Sequence, residues 1–429
     1  MRLLLTAVLL CTSLLAQGSV FVAHGGHRGS PVECPPAAAS GLDAVFLFNG
    51  MDNASVSFKC DNPNAWGITI YTSNSAVFPE SGLQRAADGI SLNGLAHGQG
   101  VLLSDGSATH AFYIVDYAAL DFSYDALKPV TDAEDICSGL QLAVEGSLQD
   151  IAYQGTDGRT YEIKRRHTLI YTDQRWDASA NAYVQEPKTV EREGFVSAFS
   201  LDAPLQNTTF VLEGDQFAAA LETASAYVTA DYSAVHVETH AAAEGQRREA
   251  ADNEVGGDTD GLTGSAPFTV DFHSYVNAAT DYCIWYIYTT PGSTDDYLYR
   301  NETDISHTFS QAGTFTVKLM ASNAVCADSA SFEITVTESM LDCPNFFSPR
   351  STPGENDEFK VAYRSLTEFR GRILNRWGNV LFEWTDPALG WNGTYRGQAV
   401  SPGVYFYVIT ATGSDGIKYV RKGDINLLE

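Results

Sequence analysis

The chain has 429 residues, more than one small domain requires, and ordinary domain sizes divide it into two to four units. Its 26 basic residues stand against 53 acidic ones, a net charge of -27. That field repels phosphate backbones and anionic lipid surfaces instead of releasing their counterions, so neither nucleic acid nor a membrane surface is an expected partner, and the acidity reads as solubility.

The first residues, MRLLLTAVLLCTSLLAQGS, carry Arg2, an apolar run from Leu3 to Leu15 and small residues at Ala16 and Gly18. This is the layout of a secretory signal peptide over residues 1–18, with cleavage after Ala16 or Gly18. Cys11 follows Leu10, whereas a lipoprotein signal places a small residue there. No other stretch approaches the ~18 uninterrupted apolar residues of a membrane span, so no transmembrane segment is expected. Beyond the signal remain Cys34, Cys60, Cys137, Cys283, Cys326 and Cys343. Six cysteines in an oxidising compartment predict disulfides, in one of about 15 connectivities.

Residues 19–41, rich in Gly, Pro and Ala, read as a flexible leader. From there apolar and polar residues alternate: Ala54, Val56, Phe58 and Cys60, then Trp66, Ile68 and Ile70, then Leu140, Leu142 and Val144. Period two means strands with one buried face. Asn49-Gly50, Asp105-Gly106, Asp157-Gly158 and Asp415-Gly416 fall between such runs, where tight hairpins favour Asn or Asp before Gly. The pattern predicts an Ig-like β domain over 42–132 and a second over 133–240, with FAAALETASA (217–226) a brief helix or a loop. Residues 241–261, charged, Gly-bearing and free of aromatics, read as a hydrated linker.

Catalytic and metal-binding patterns are weak. In HVETH (236–240) Val237 stands where a zinc-protease motif needs Glu, and the alternation reads as a strand with a polar outer face. His24 and His27 form a pair without a third ligand. GDTDG (257–261) lacks the closing Glu and flanking helices of an EF-hand, and reads as linker solvation. KRRHT (164–168) is a dense basic run in acidic surroundings, which predicts ion pairing rather than ligand binding. There is no Gly-x-Ser-x-Gly elbow, phosphate-cradling loop or Cys-x-x-Cys. No catalytic residue, metal ligand or cofactor is assigned.

At SAPFTVDF a family pattern begins. APFTVDF, CIWYIY and ISHTFSQAGTFTVKLMASNAVC resemble the PKD-type Ig-like sandwich over 262–338. The resemblance implies that Trp285 fills the inter-sheet core. Trp285-Tyr286-Ile287-Tyr288 replaces the usual Trp-Asp-Phe-Gly-Asp-Gly, so an acidic-loop cation site is not implied. Cys283 and Cys326 then lie on strands that pair as the antibody inter-sheet bridge does, a candidate disulfide contributing roughly 3 to 4 kcal/mol.

Residues 339–429 carry a second resemblance, to the gliding-motility-associated C-terminal domain, the type B sorting domain of type IX secretion cargo. The matching residues are Pro344, Asn345, Phe346, Phe347, Ser348 and Pro349, then Asn356, Asp357 and Phe359, then Asn375, Arg376, Trp377 and Gly378. Trp391, Asn392 and Gly393 follow, then Pro402, Gly403, Val404, Tyr405 and Tyr407. Arg350 to Gly354 replace the family's Asn-Gly-Asp-Gly, which removes support for a cation-binding turn. The resemblance implies export through the outer-membrane machinery to the medium or the outer surface of a Gram-negative cell. Independently, Asn375 to Gly378 fits a type I turn closed by a left-handed glycine. The run Val404 to Ile409 is apolar on both faces, so it is a central strand covered twice or aromatic on its outer face. Pro349 and Pro353 hold the preceding loop out of the sheet.

The sequence thus describes an all-β protein of tandem Ig-like sandwiches ending in a small sorting sandwich. The leading function is non-catalytic extracellular binding or adhesion to a glycan or protein ligand. An extracellular polymer-degrading enzyme with its site in 42–240, or a structural stalk, are the alternatives. Exposed aromatics among the 21 Tyr and 22 Phe would favour sugar contact, and a cleft with perturbed carboxylates the enzyme.

Overall fold

A computed structural model describes residues 20–71, 80–130, 135–247, 249–256, 261–350, 354 and 356–428. The signal peptide, most of GDTDG and Pro353 lie outside them. Among the described residues are strands and four 3-10 turns but no α-helix. The chain divides into two compact units: one holds the chain up to Asp173, Glu186–Asp202 and Thr208–Ser233, the other Gln174–Gln185, Ala203–Asn207 and Ala234–Glu429.

In the N-terminal unit the first sandwich sets a four-stranded sheet, in the order Phe21–His24, Ser55–Lys59, Gly89–Asn93, Leu83–Ala86, against a five-stranded one. The latter runs Val32–Cys34, Ala44–Phe48, Thr109–Asp116, Gly100–Ser104, Gly67–Ile70. Every residue of Ala44–Phe48 is buried, which explains its unbroken AVFLF. Ala44, Phe46 and Phe48 enter the inter-sheet core. Val45 and Leu47 enter a second core with Ile151, Tyr153, Phe217 and Leu221 from the next domain. Continuous hydrophobicity is what two covered faces require.

The expected flexible leader is instead part of this sandwich. Phe21 is 2% exposed and its ring lies 5.0 Å from Phe112 and 5.4 Å from Phe58. Gly25, at φ +107°, passes so close to Asn53 that a Cβ would sit 2.3 Å from its carbonyl oxygen. Its glycines serve close approach, not looseness.

The second sandwich opens at Ser123–Val130, which pairs with Gly139–Ser147, so its first strand lies upstream of residue 133. Ala198–Asp202 completes that sheet. The facing sheet orders Ala182–Glu193, Arg166–Asp177, Thr208–Gly214 and Ala226–Tyr232. Leu142, Leu169, Phe199, Phe210 and Leu212 fill the space between. FAAALETASA forms turns leading into Ala226–Tyr232. They bury Phe217 and Leu221.

In the C-terminal unit the third sandwich packs Thr239–Gly245, Phe268–Val276 and Asp304–Phe309 against a five-stranded sheet. That sheet runs Thr263–Ser265, Ala327–Thr337, Gly313–Ser322, Tyr282–Tyr288, Tyr297–Arg300. Trp285 is fully buried, 5.5 Å from Phe272. The expected linker 241–261 is corrected here: Thr239–Gly245 pairs residue for residue with Phe268–Val276, and Ala241 and Ala243 pack on the core. Alanines are short enough to disguise a strand's buried face as a polar tract. Farther on, Asn253 Nδ2 donates to the Val361 and Pro387 carbonyls at 2.7 and 2.8 Å.

The expected Cys283–Cys326 bridge is absent. Cys283 is a free thiol opposite Ala321, and Cys326 sits in the turn leading into Ala327–Thr337 of the same sheet. An inter-sheet bridge needs opposite sheets. The disulfide-bonded cysteines among the described residues are Cys137 and Cys326, and Cys34, Cys60, Cys283 and Cys343 are free.

The terminal domain is a five-stranded sheet ordered Phe346–Phe347, Lys418–Leu427, Gly403–Gly413, Leu366–Leu374, Val380–Trp384. Gly403–Gly413 is central. The short first strand runs parallel to Lys418–Leu427, and the other pairs are antiparallel.

Candidate functional site

Among the described residues no group of three or more His, Cys, Asp or Glu side chains is placed to hold a metal ion. HVETH does not converge: His236 Nδ1 is 3.0 Å from the Ala203 carbonyl, Val237 is buried, and His240 stacks on Trp176 at 4.3 Å. Only Thr239 and His240 are strand residues, so the expected strand with a polar outer face does not extend over His236 to Glu238. His27 lies 2.7 Å from Asp52, and His24 stands opposite Ser55 in the strand ladder.

KRRHT alternates as its period dictates. Lys164 pairs outward with Asp150 and Glu162, while Arg165 and His167 turn inward and are buried. Arg165 Nη1 donates to Asp215 Oδ2 at 2.5 Å and its Nε to the Gln149 carbonyl at 2.9 Å. The guanidinium lies 4.3 Å from the Phe122 ring and 5.1 Å from Tyr117. Asp215 Oδ1 accepts from the Tyr117 hydroxyl at 3.0 Å and the Phe217 amide at 2.9 Å. Burial raises the Tyr117 and Tyr124 phenols and lowers His167, whose Nδ1 is 2.8 Å from the Tyr124 hydroxyl. This cluster is sealed, and its office is to join the first two sandwiches.

The sorting-motif residues divide by burial. Phe347, Phe359 and Trp391 form the core, with Tyr405 and Tyr407 half-buried against it. Trp391 lies 5.4 Å from Phe347 and 5.2 Å from Tyr405, and its Nε1 donates to the Thr394 carbonyl at 2.8 Å. Gly393 has φ +77°, and a Cβ there would meet Leu427 at 2.8 Å. Asn356, also at positive φ, accepts from the amide of buried Ser348, and Asp357 accepts from the Gly354 amide. Pro344 and Pro349 are half-buried. The Asn345 carbonyl accepts from the Asn426 amide at 3.0 Å.

The remainder are at the surface. Asn375 Oδ1 accepts from the Trp377 and Asn379 amides, both at 3.0 Å, and the Gly378 amide donates to the Asn375 carbonyl at 2.9 Å. Gly378 at φ +84° closes the hairpin. The turn lifts Trp377 into solvent, 74% exposed, with Arg376 5.0 Å from its ring. Beside it, Pro402, Gly403, Val404 and Phe406 are exposed, and turn and strand enclose a groove of about 460 Å³. The central strand thus turns its tyrosines and Ile409 toward the core and leaves Val404 and Phe406 bare on its outer face. Next to the groove, hydrogen bonds from Arg370 and then Arg372 hold the Glu383 carboxyl below its usual range.

A second surface lies on the third sandwich. Inward Trp285 and Ile287 send Tyr286 and Tyr288 outward, where they pair with Tyr299 and Tyr297. The Tyr297 ring is 5.2 Å from Tyr286 and 5.9 Å from Tyr288. All four residues of Tyr297–Arg300 are exposed, Tyr297 at 50% and Tyr299 at 67%. The sequence offered a signal for this face, tyrosines at every second position on two successive strands.

Three family models match. Residues 129–229 match a fibronectin type III domain, 259–336 a PKD domain, and 341–427 the CHU_C type IX secretion signal domain. The chain is therefore a multi-domain β protein carrying a type IX secretion signal, which directs export to the cell surface or beyond. No curated protein matches the chain. A crystal structure of dimeric latent PorU from Porphyromonas gingivalis aligns at 12% identity over 74% of this chain, with a TM-score of 0.16. The alignment spans 35% of that structure's length.

Proposed function

We propose that this exported chain is a non-catalytic binding protein, whose recognition face is the tyrosine strip of the third sandwich and whose ligand is an extracellular glycan or protein. The observation that carries the reading is the exposure of Tyr297 and Tyr299 beside Tyr286 and Tyr288 on a sheet edge. Leaving an aromatic side chain in water forgoes about 1.5–3 kcal/mol of burial, and contiguous exposed apolar surface marks interaction sites. Tyrosine suits such a face because its ring stacks while its hydroxyl stays hydrated. Adhesion at the cell surface follows from export joined to such a face.

The test is binding of the full mature chain to a panel of glycans and matrix proteins, with turnover of each bound polymer followed alongside. Saturable binding that Tyr297→Ala/Tyr299→Ala weakens about tenfold or more, as loss of aromatic anchors does, supports the reading. Turnover would replace it with an enzyme, and silence across the panel with a structural surface component.

A further inference from the structure

The sorting motif contains more than its own fold uses. Trp391, Phe347, Phe359, Tyr405 and Tyr407 are accounted for by the core they build. Arg376, Trp377, Pro402 and Gly403 are exposed. A hairpin turn needs its Asn and its Gly, but any polar pair would serve between them. An indole 74% exposed is an energetic liability within the isolated chain.

Register shows where this surplus collects. On the outer sheet face Phe406 is flanked by Leu374, and Leu374 by Val380. Val404 faces Asn426, which also faces Phe346. Val404, Phe406, Val380 and Phe346 are all exposed. Trp377 overhangs this end, while Arg370, Arg372 and Glu383 make the middle of the face a salt-bridged, hydrated surface. The groove is lined by one cation, Arg376, and by no carboxylate.

Charge sets this domain apart. Residues 341–429 hold ten basic and ten acidic side chains, so the whole net charge of -27 resides in residues 1–340. An acidic partner would be repelled by the body of the chain and meet no such field at its terminal domain.

We propose that the export machinery docks on this end of the sheet: its receptor presents an apolar pocket that takes Trp377 and packs on Val404 and Phe406, with carboxylates on the rim facing Arg376. The buried motif residues hold the strands in register, and the exposed ones make the contact. Aromatic and Arg anchors at the centre of a small apolar patch are the usual carriers of binding energy, and the rim charge governs encounter.

The test follows the full chain in its own secreting cell, measuring the fraction delivered to surface and medium against the fraction held in the periplasm. Trp377→Ala/Phe406→Ser is expected to lower delivery about tenfold or more while the periplasmic protein resists protease as the parent does. Arg376→Glu, at an exposed turn position that cannot unfold the core, is expected to lower it also, and Arg376→Lys to leave most of it. Val420→Ser, exposed at the far end of the strand Lys418–Leu427, should deliver like the parent. Normal delivery of both the double variant and Arg376→Glu overturns the proposal. An equal loss in Val420→Ser overturns the placement of the contact.

Discussion

Arg165 offers the sharpest test of how the N-terminal unit is held together. Both its side chain and that of Asp215 are shut from solvent, at 1% and 0% exposure. Replacing Arg165 by Met keeps much of the volume but leaves a carboxylate sealed in protein with a phenol and one amide for company. Breaking one side of a buried pair costs about 3–5 kcal/mol, and the contacts over Phe122 and Tyr117 add up to ~1 kcal/mol more. Equilibrium urea unfolding followed by circular dichroism should therefore show a loss of about 4 kcal/mol, near 2 M in midpoint for a slope of about 2 kcal/mol/M. Arg165→Met/Asp215→Asn should recover about 2 kcal/mol of that loss, since the stranded charge is gone. A loss below about 1 kcal/mol in Arg165→Met, or no recovery in the double variant, would refute the assignment of the pair as the joint's anchor.

Other outcomes follow from the same structure. Trp391→Ala removes the centre of the terminal core and should cost about 3–5 kcal/mol, so protease should clip this domain selectively; full resistance would contradict its place in that core. Burial holds the His167 pKa below 6.5, so its contribution is complete above pH 6.5 and lost as pH falls through the lower folded value. Between pH 6.5 and that folded value the stability of the N-terminal unit should drop by up to about 1.4 kcal/mol per pH unit, and His167→Gln should flatten the slope; an unchanged slope rejects the account. Burial, helped by Glu33 and Asp215, pushes the Cys34 thiol up to about 12, so alkylation should reach it only on unfolding. Mapping of non-reduced peptides should find Cys283 as a free thiol, and any disulfide containing it contradicts the fold.

Much of the architecture was legible because it rests on local rules. Alternation marked the strands, Asn375-Arg376-Trp377-Gly378 marked its hairpin, and the order of terminal motifs marked the secretion signal. What failed was governed by tertiary placement. The glycines at 25 and 26 look like slack and instead permit a close crossing. Ala241 and Ala243 look polar by context and instead line a core. Cys283 and Cys326 fit a family geometry that the sheet assignment of their strands forbids. Trp377 and Trp391 are equal members of one motif, yet one is exposed and the other 1% exposed, a difference no periodicity encodes. The tyrosine face was present as a pattern but not as a surface, since alternate spacing does not say which face stays bare.

The parallel pairing of Phe346–Phe347 with Lys418–Leu427 carries a consequence for timing. The strand that completes the terminal core contributes Ile425 and Leu427 to it and shields the opening segment of the domain. Until that strand leaves the ribosome, the central strand Gly403–Gly413 lacks its neighbour. A nascent or truncated chain consequently carries every sandwich before it and still presents no finished address. A receptor reading the proposed contact surface would select for chains made through to that strand.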